Sequence, residues 1–256
     1  MYFAVLTKRK LIALVCLILS VIILLSIVFA FSSQETFAGL KQRKLPIYRV
    51  QTDEKKIAIS FDCAWGVDYT DNLLQAMQEQ DVQCTFFAVE FWVNKHPDFV
   101  KKIVDFGHEI GTHSATHPYM SKLSKEQIVK ELSTSKNAIE SITNQKVQLF
   151  RPPYGDYNDL LIETAEELGL YTIQWDVDSI DWKDISSKEI VNRVVKKTKS
   201  GSIILCHNNG LHTHEALPYI LSNLKEKGFT FVPIGELIYK DNYTIDSFGV
   251  QHQALN

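Results

Sequence analysis

The sequence has few of the features that are typical of small disulfide-rich proteins or of proteins that bind polyanions. Its 256 residues include only four cysteines, at positions 16, 63, 84 and 206, and none forms a Cys-x-x-Cys pair. This spacing excludes a disulfide scaffold and a zinc ribbon. The formal net charge is only −3, so we expect no nucleic-acid partner. No Gly-x-Gly-x-x-Gly follows the first predicted strand, which disfavours a dinucleotide-binding fold.

Charge is also absent from residues 11–31, a run of 21 residues that follows Lys8-Arg9-Lys10. At about 1.5 Å per residue, a helix of that length crosses a hydrocarbon layer of ~30 Å. We therefore predict a cytoplasmic tail at 1–10, a single transmembrane anchor at 11–31 and a linker at 32–55, with the remainder outside the cytoplasm at the cell membrane. A cleaved signal peptide is the main alternative, because Val28-Phe29-Ala30 offers small residues to a peptidase. A buried core helix is the third.

From Lys56 onwards, short β-branched or aromatic runs alternate with amphipathic stretches. This alternation predicts an α/β fold with parallel strands, a distorted (β/α)7-type barrel over 56–240, followed by a C-terminal tail at 241–256. A doubly wound open sheet is the alternative. The predicted strands are 57–61, 83–89, 109–113, 147–150, 171–178, 202–207 and 229–233, and the predicted helices are 70–79, 97–106, 124–142, 158–168, 186–199 and 214–227.

Ionisable residues stand at the ends of five predicted strands. In a parallel α/β barrel, the carboxyl ends of the strands build the active site. One such residue could be an ordinary loop position, but five together predict a shared site with perturbed ionisation. They are Asp62, His113, Arg151, Asp178 and His207.

The segment His113-Ser-Ala-Thr-His117 places two imidazoles four residues apart. On a helical turn this spacing brings both rings to one face, where they can reach one metal ion. Two histidines suit zinc, with cobalt, nickel or manganese as alternatives, and a carboxylate normally completes such a site. The sequence therefore predicts a divalent metal cofactor.

Two loop motifs accompany the histidine pair. In Arg151-Pro-Pro-Tyr-Gly155, two prolines and a glycine fix a loop that aims the guanidinium and exposes backbone N–H groups. In the segment 175–182, an aspartate can orient a histidine or pair with Arg151, and Trp182 can line a sugar site.

Taken in order, these motifs resemble the polysaccharide deacetylases of carbohydrate esterase family 4, which share the NodB-homology domain. The resemblance extends from about Lys56 to Tyr239. The membrane-tethered layout and Phe61-Asp62-x-x-Trp65-Gly66 are similar to the sporulation-type members. The motifs are Ser60-Phe61-Asp62, His113-x-x-x-His117-Pro118, Arg151-Pro152-Pro153-Tyr154-Gly155, Asp178-x-x-Asp181-Trp182 and Leu205-x-His207.

This resemblance implies a metal-dependent hydrolase that removes N-acetyl groups from cell-wall polysaccharide. Peptidoglycan, through N-acetylglucosamine or N-acetylmuramic acid, is expected ahead of chitin or xylan, because the anchor would hold the domain against the wall. The implied roles are general base for Asp62, metal ligands for His113 and His117, orientation of the base for Arg151, backbone oxyanion donor for Tyr154, general acid for His207, tuning of that acid for Asp178, and substrate contact for Pro153 and Trp182.

One position departs from the family pattern, in which a second, metal-binding aspartate follows the base. Here Cys63 follows Asp62. We predict that Asp68 completes the metal site, because Gly66 would let its loop fold back; the Cys63 thiolate or a water molecule are the alternatives. Since neighbours on a strand point to opposite faces, Cys63 should point away from the site. A catalytically silent wall-binding or scaffold protein is the alternative to an enzyme.

Overall fold

The computed structural model describes residues 7–38 and 43–254, so parts of the predicted cytoplasmic tail, linker and C-terminal tail (1–6, 39–42 and 255–256) lie outside the described residues. The chain divides into two compact units, Met1–Arg43 and Lys44–Asn256. The helices are α1 Lys8–Ala38, α2 Thr70–Glu79, α3 Glu90–Lys95, α4 Pro97–Asp105, α5 Lys125–Thr143, α6 Asp159–Glu167, α7 Ser187–Lys197, α8 Thr213–Glu226 and α9 Ile234–Leu237. The strands are β1 Arg49–Val50, β2 Lys56–Cys63, β3 Thr85–Ala88, β4 Glu109–Thr112, β5 Leu149–Phe150, β6 Tyr171–Thr172, β7 Val177–Asp178, β8 Ile203–His207, β9 Thr230–Phe231, β10 Tyr243–Ile245 and β11 Val250–Gln253.

The first unit is built on the long apolar helix α1. Its segment Lys8–Ile27 has a mean hydropathy of 2.9 and is long and apolar enough to cross a membrane. A signal sequence near the N-terminus meets the same criteria. The predicted anchor and its orientation therefore stay predictions.

The second unit contains a sheet of eight parallel strands. Seven follow the order β6-β5-β4-β3-β2-β8-β7, and β9 pairs with the first two residues of β2. Because β2 and its neighbours are buried on both faces, they read in the sequence as continuous apolar runs. The predicted distorted barrel of parallel strands is confirmed, in the form of a curled sheet that has β6 and β7 at its two ends.

The predicted strand 171–178 is wrong as one element, because it forms two short strands at opposite ends of this order. Between them the chain pairs with the segment before β1. The Ile47 N–H donates to the Thr172 carbonyl at 2.9 Å, and the Gln174 N–H donates to the Ile47 carbonyl at 2.7 Å. The segment that contains Ile47 thus pairs with the chain directly after β6, in the place that the next strand of a regular barrel would occupy.

Both ends of this unit are structured. Strands β1, β11 and β10 form a separate three-stranded sheet. Val50 and Val250 are buried in it, and Gly201 permits the close approach of β1, because a Cβ there would lie 1.7 Å from the Val50 carbonyl oxygen. Residues 44–55 of the predicted linker belong to this unit, and the predicted tail 241–256 contains β10 and β11; the predicted domain boundaries stay predictions. Sequence periodicity missed these strands because each is only two to four residues long.

Candidate active site

The candidate site lies at the carboxyl ends of neighbouring parallel strands. Asp62 is the penultimate residue of β2, and its Cα partner on β8 is His207. His113 directly follows β4, and Arg151 directly follows β5. The register of the sheet thus gathers four of the five predicted strand-end residues at one edge, as expected for parallel α/β proteins.

Asp62 is a buried carboxylate in ionic contact with Arg151. The Arg151 Nη1 donates to Asp62 Oδ1 at 2.7 Å. Burial alone would raise the pKa of Asp62, but the charge of Arg151, helped by its hydrogen bond, outweighs burial and holds the pKa below its usual range. Asp62 is therefore ionised and able to accept a proton.

Arg151 is fully buried and its direction is fixed from several sides. Its Nη2 donates to the Gln174 carbonyl at 3.3 Å, and its guanidinium lies 4.1 Å from the centre of the Phe87 ring. The Gln174 side chain also donates to the Gly155 carbonyl at 3.0 Å, which ties down the loop after β5. Gln174 could not be selected from the sequence, because its contribution depends on the irregular chain between β6 and β7.

His113 and His117 face each other through their Nε2 atoms, which are 3.2 Å apart. The Nδ1 of His113 lies 2.7 Å from the Arg151 carbonyl oxygen. Since that oxygen can only accept, Nδ1 carries the proton and Nε2 presents its lone pair to the site. Burial lowers the pKa of both rings, that of His117 to about 4, so both are neutral near pH 7. Two converging, neutral Nε2 atoms are the donor geometry that a first-row metal ion requires.

No third His, Cys, Asp or Glu joins these histidines as a metal-binding group within residues 7–38 and 43–254. Asp62 Oδ2 lies 3.6 Å from the His113 Nε2. The Asp68 carboxylate is instead engaged by Asn209, whose Nδ2 donates to Asp68 Oδ2 at 3.1 Å and whose Oδ1 accepts the Asp68 N–H. The structure therefore does not bring Asp68 to the histidines, and its role as third ligand stays a prediction.

Cys63 points to the other side of the strand, as alternation requires. It is fully buried in the hydrophobic core with Phe61, and burial raises the pKa of its thiol well above the ordinary value. A thiol in such surroundings is a packing residue and stays protonated.

His207 is oriented by Asp181, which sequence analysis did not assign to this role, and the expected tuning of His207 by Asp178 stays a prediction. The His207 Nδ1 lies 2.7 Å from Asp181 Oδ1, and the His207 backbone N–H donates to Asp181 Oδ2. Burial alone would lower the pKa of His207, but the hydrogen bond and charge of Asp181 outweigh it and raise that pKa. Asp178 Oδ1 accepts from the Ile180 N–H at 2.8 Å and shapes the loop. Both aspartates stand in one sequence motif, and the turn at Ile180, which has a φ of 59°, decides which one reaches the histidine.

The remaining predicted residues surround this centre. Tyr154 has a φ of 58°, a strained conformation for a residue with a side chain, and its ring lies edge-on to His117 with centroids 4.6 Å apart. Pro153 is buried beside it, and Trp182 is exposed directly after Asp181. The structure thus places Pro153 and Tyr154 beside the metal-ligand candidates and Trp182 beside the residue that orients His207.

Comparison with known proteins identifies the family. The sequence profile of the family "Polysaccharide deacetylase" matches residues 49–173. The chain is 38% identical over 196 residues to a peptidoglycan-N-acetylglucosamine deacetylase of Bacillus cereus, covering 75% of this chain and 92% of the relative. It is 30% identical over 204 residues to the peptidoglycan-N-acetylmuramic acid deacetylase PdaA of Bacillus subtilis, covering 78% of each. Other curated relatives are longer, and the chain spans 60% or 41% of their length.

Solved structures support the same conclusion. Wild-type BA3943 of Bacillus anthracis, described as a CE4 family pseudoenzyme, superposes with a TM-score of 0.74 at 36% identity, over 81% of this chain and 73% of its own. The fold, the ordered motifs and the sequence matches agree, and the chain therefore belongs to the polysaccharide deacetylase family, carbohydrate esterase family 4.

Proposed function

We propose that this chain is a metal-dependent deacetylase of peptidoglycan, which hydrolyses the N-acetyl group of an amino sugar and releases acetate. The observation that carries the proposal is the arrangement of a base and an acid at one edge of the sheet. Arg151 holds Asp62 as a carboxylate at 2.7 Å, and the Asp181 carboxylate lies 2.7 Å from the His207 Nδ1 and favours the protonated ring. Amide hydrolysis needs such a base for the attacking water and such an acid for the leaving amine.

The donor atoms fit a metal ion at His113 and His117. Their Nε2 atoms converge at 3.2 Å and could turn their lone pairs to one ion at the cost of only the contact between the two rings. When bound there, a divalent ion such as zinc would polarise the acetamide carbonyl and lower the pKa of water. Asp68, after exchanging its bond to Asn209, would supply a carboxylate ligand.

The chain's own residues then account for the proton transfers. Asp62 takes a proton from the attacking water, and Arg151 holds the carboxylate in place throughout. The backbone N–H of Tyr154 donates to the carbonyl oxygen as that atom becomes negative. His207 donates its proton to the amine as the C–N bond breaks, and the Asp181 carboxylate stabilises the charged imidazole until that step.

Peptidoglycan is the substrate that the relatives favour, because those named above act on its N-acetylglucosamine or N-acetylmuramic acid residues. Helix α1 supports this choice if it serves as an uncleaved anchor, since it would hold the second unit at the outer face of the cell membrane, next to the wall. Mass spectrometry of muropeptides released enzymatically from treated peptidoglycan decides which sugar is used: an acetyl group missing from the glucosamine residue indicates one substrate, and one missing from the muramic acid residue indicates the other.

A second candidate function is that of a catalytically silent wall-binding protein. It is favoured by Cys63, which stands where typical members carry the metal-binding aspartate, and by the similarity to a CE4 family pseudoenzyme. A mutant of BA3943 whose crystal structure is known is a pseudoenzyme with restored enzymatic activity. The intact Asp62, Arg151 and His207 favour the enzyme, because a binding protein has no use for a matched base and acid.

Acetate release from purified peptidoglycan tests the proposal. The wild-type chain should release acetate, and the variant Asp62→Asn should release almost none. If both release no acetate with zinc, cobalt, nickel or manganese supplied, while the wild type still sediments with peptidoglycan, the silent wall-binding protein is the correct description.

A further inference from the structure

The loop that joins the two metal-ligand candidates has no regular secondary structure to fix its shape. His113 directly follows β4, and its N–H donates to the Ala88 carbonyl at 3.0 Å, whereas His117 lies at the far end of the loop. Ser114, with a φ of 71°, and His117, with a φ of 59°, adopt the left-handed conformation. Residues with side chains keep such a conformation only where the surrounding structure imposes it. The position of the His117 ring relative to the His113 ring therefore depends on what holds residues 114–116.

Glu131 of α5 binds the middle of this loop through both of its carboxylate oxygens. Its Oε2 accepts from the Ala115 N–H at 2.9 Å and from the Thr116 N–H at 2.8 Å, and its Oε1 accepts from the Thr116 hydroxyl at 2.7 Å. Hydrogen bonds to a carboxylate are roughly twice as strong as those between neutral groups. Three such bonds to two consecutive residues fix the loop between the histidines.

Helix α5 holds the start of the loop as well. The Thr112 hydroxyl, at the end of β4, donates to the Ser135 hydroxyl at 2.6 Å, and both residues are fully buried. Ser135 lies four residues after Glu131, so the two side chains project from one face of the helix. The helix itself is packed into the protein through the buried Ile128 and Leu132. One helix thus fixes both the end of β4 and the middle of the loop.

We infer that Glu131 is a positioning residue that holds His117 opposite His113 and thereby raises the affinity of the pair for a divalent ion. The inference rests on the proposed function, because it requires the ion to bind at these two rings. Both Glu131 oxygens bind groups of the loop, so the residue acts through the loop and is not a ligand. Without these bonds the loop has more conformations, and an ion must order it on binding, which lowers the affinity.

The zinc affinity of the full chain in detergent tests this, measured by competition with a chromophoric chelator. Glu131→Ala should lower the affinity by about 10- to 100-fold, the usual loss when a group that orients a metal ligand is removed. Glu131→Gln should keep most of the affinity, because the amide oxygen can replace Oε2 and the Thr116 hydroxyl can turn to accept from the amide nitrogen. Glu140→Ala is the matched control on the same helix. The Glu140 Oε1 accepts from the Val147 N–H at 2.9 Å, outside the loop, and its loss should leave zinc affinity unchanged.

Two further measurements separate loop positioning from a general loss of stability. In the metal-free protein, the amide hydrogens of Ala115 and Thr116 should exchange faster in Glu131→Ala than in the wild type, and at the wild-type rate in Glu140→Ala. At saturating cobalt, the visible absorption spectrum of the bound ion reports the arrangement of its ligands. That spectrum should change in Glu131→Ala and stay as in the wild type in Glu131→Gln.

The inference is overturned if Glu131→Ala binds zinc like the wild type, or if Glu131→Gln or Glu140→Ala loses as much affinity as Glu131→Ala. Circular dichroism and thermal midpoints identify a variant that does not fold. Should Glu131→Ala be such a variant, Thr116→Val takes its place, because it removes only the hydroxyl that donates to Oε1. Its zinc affinity should fall by a smaller factor, and an unchanged affinity is then the result that overturns the inference.

Failure of the proposed function gives a different result. Zinc binding that depends on Glu131, with no acetate released from peptidoglycan, would reject the deacetylase and keep the positioning role. Acetate release by a protein whose zinc affinity does not depend on Glu131 would reject the positioning role alone. A wild-type chain that binds none of zinc, cobalt, nickel or manganese would reject both.

Discussion

The two halves of the candidate site are completed in different ways. Around His207 the polar partners come from the chain: Asp181 binds the Nδ1 and the backbone N–H of His207 and also accepts from the Thr213 hydroxyl at 2.7 Å. Around His113 and His117, two neutral rings face each other through their Nε2 atoms, 3.2 Å apart. The acid half is finished by folding, whereas the metal half has the form of a site that an ion would complete.

The pKa values of the histidines follow from this difference between the two halves. Both halves are buried, and burial lowers the pKa of an imidazole. Near His207 a carboxylate reverses that effect, whereas at His117 burial and the neighbouring His113 act together to lower the pKa to about 4. The half around His207 therefore favours a protonated imidazole, whereas the half around His113 and His117 favours neutral rings.

Loss of a metal ligand or of the metal itself should reduce acetate release the most. We expect His113→Ala to reduce bound metal and to lower acetate release to background, because one of two converging Nε2 donors is lost. A chelator should do the same to the wild type, with recovery when zinc is restored. His212→Ala removes a partly exposed imidazole paired with Glu215 and serves as the matched control. Full activity in a sample verified to be metal-free would refute the metal mechanism.

Loss of the base should rank next. Asp62→Asn keeps the shape of the side chain but cannot accept the proton, so we expect kcat to fall by about 10²- to 10⁴-fold with metal still bound. Metal analysis and kinetics on the same preparation check both parts. An unchanged kcat would mean that another group acts as the base.

Substitutions beside His207 should have a smaller effect on activity, and that effect should depend on pH in a defined way. The reaction needs His207 protonated, and a raised pKa keeps it so to higher pH. In Asp181→Asn the charge is lost while burial remains, so the pKa of His207 should fall and the alkaline limb of the pH–kcat profile should move to lower pH. Asp178→Asn is the matched comparison: an amide oxygen can still accept from the Ile180 N–H, and the shift should be smaller, because Asp181 contributes more to the raised pKa of His207. A shift in the Asp178 variant and none in the Asp181 variant would reverse our assignment.

The smallest effects concern the two third-ligand candidates. Cys63→Ser should leave metal affinity unchanged, because the side chain lies in the core. Asp68→Ala should lower metal affinity by about 10-fold or more if the carboxylate exchanges Asn209 for the ion. Asn209→Ala separates the two roles of Asp68, since it releases the carboxylate without removing it and should retain the metal. Metal loss in Cys63→Ser alone would identify the thiolate as the ligand.

Much of this arrangement could be predicted from the sequence, because strand ends and helix caps are local features. Asp62, His113, Arg151 and His207 follow apolar runs directly, and the capping box that begins α5 is local too, since Ser124 and Gln127 are three residues apart. Asp181 was missed as the partner of His207 because a left-handed turn at Ile180, which no periodicity signals, separates it from Asp178. Asn209 was not selected, because its bond to Asp68 joins residues 141 apart in the chain.

Metal-dependent deacetylation is tested most directly by acetate release from peptidoglycan by the full chain, followed as zinc is added back to the metal-free protein. We expect no acetate without metal, and release that rises with bound zinc to a plateau at one ion per chain. Release that is independent of zinc would contradict the role of His113 and His117. Zinc bound at one ion per chain without any acetate, with cobalt, nickel and manganese equally ineffective, would contradict the deacetylase itself.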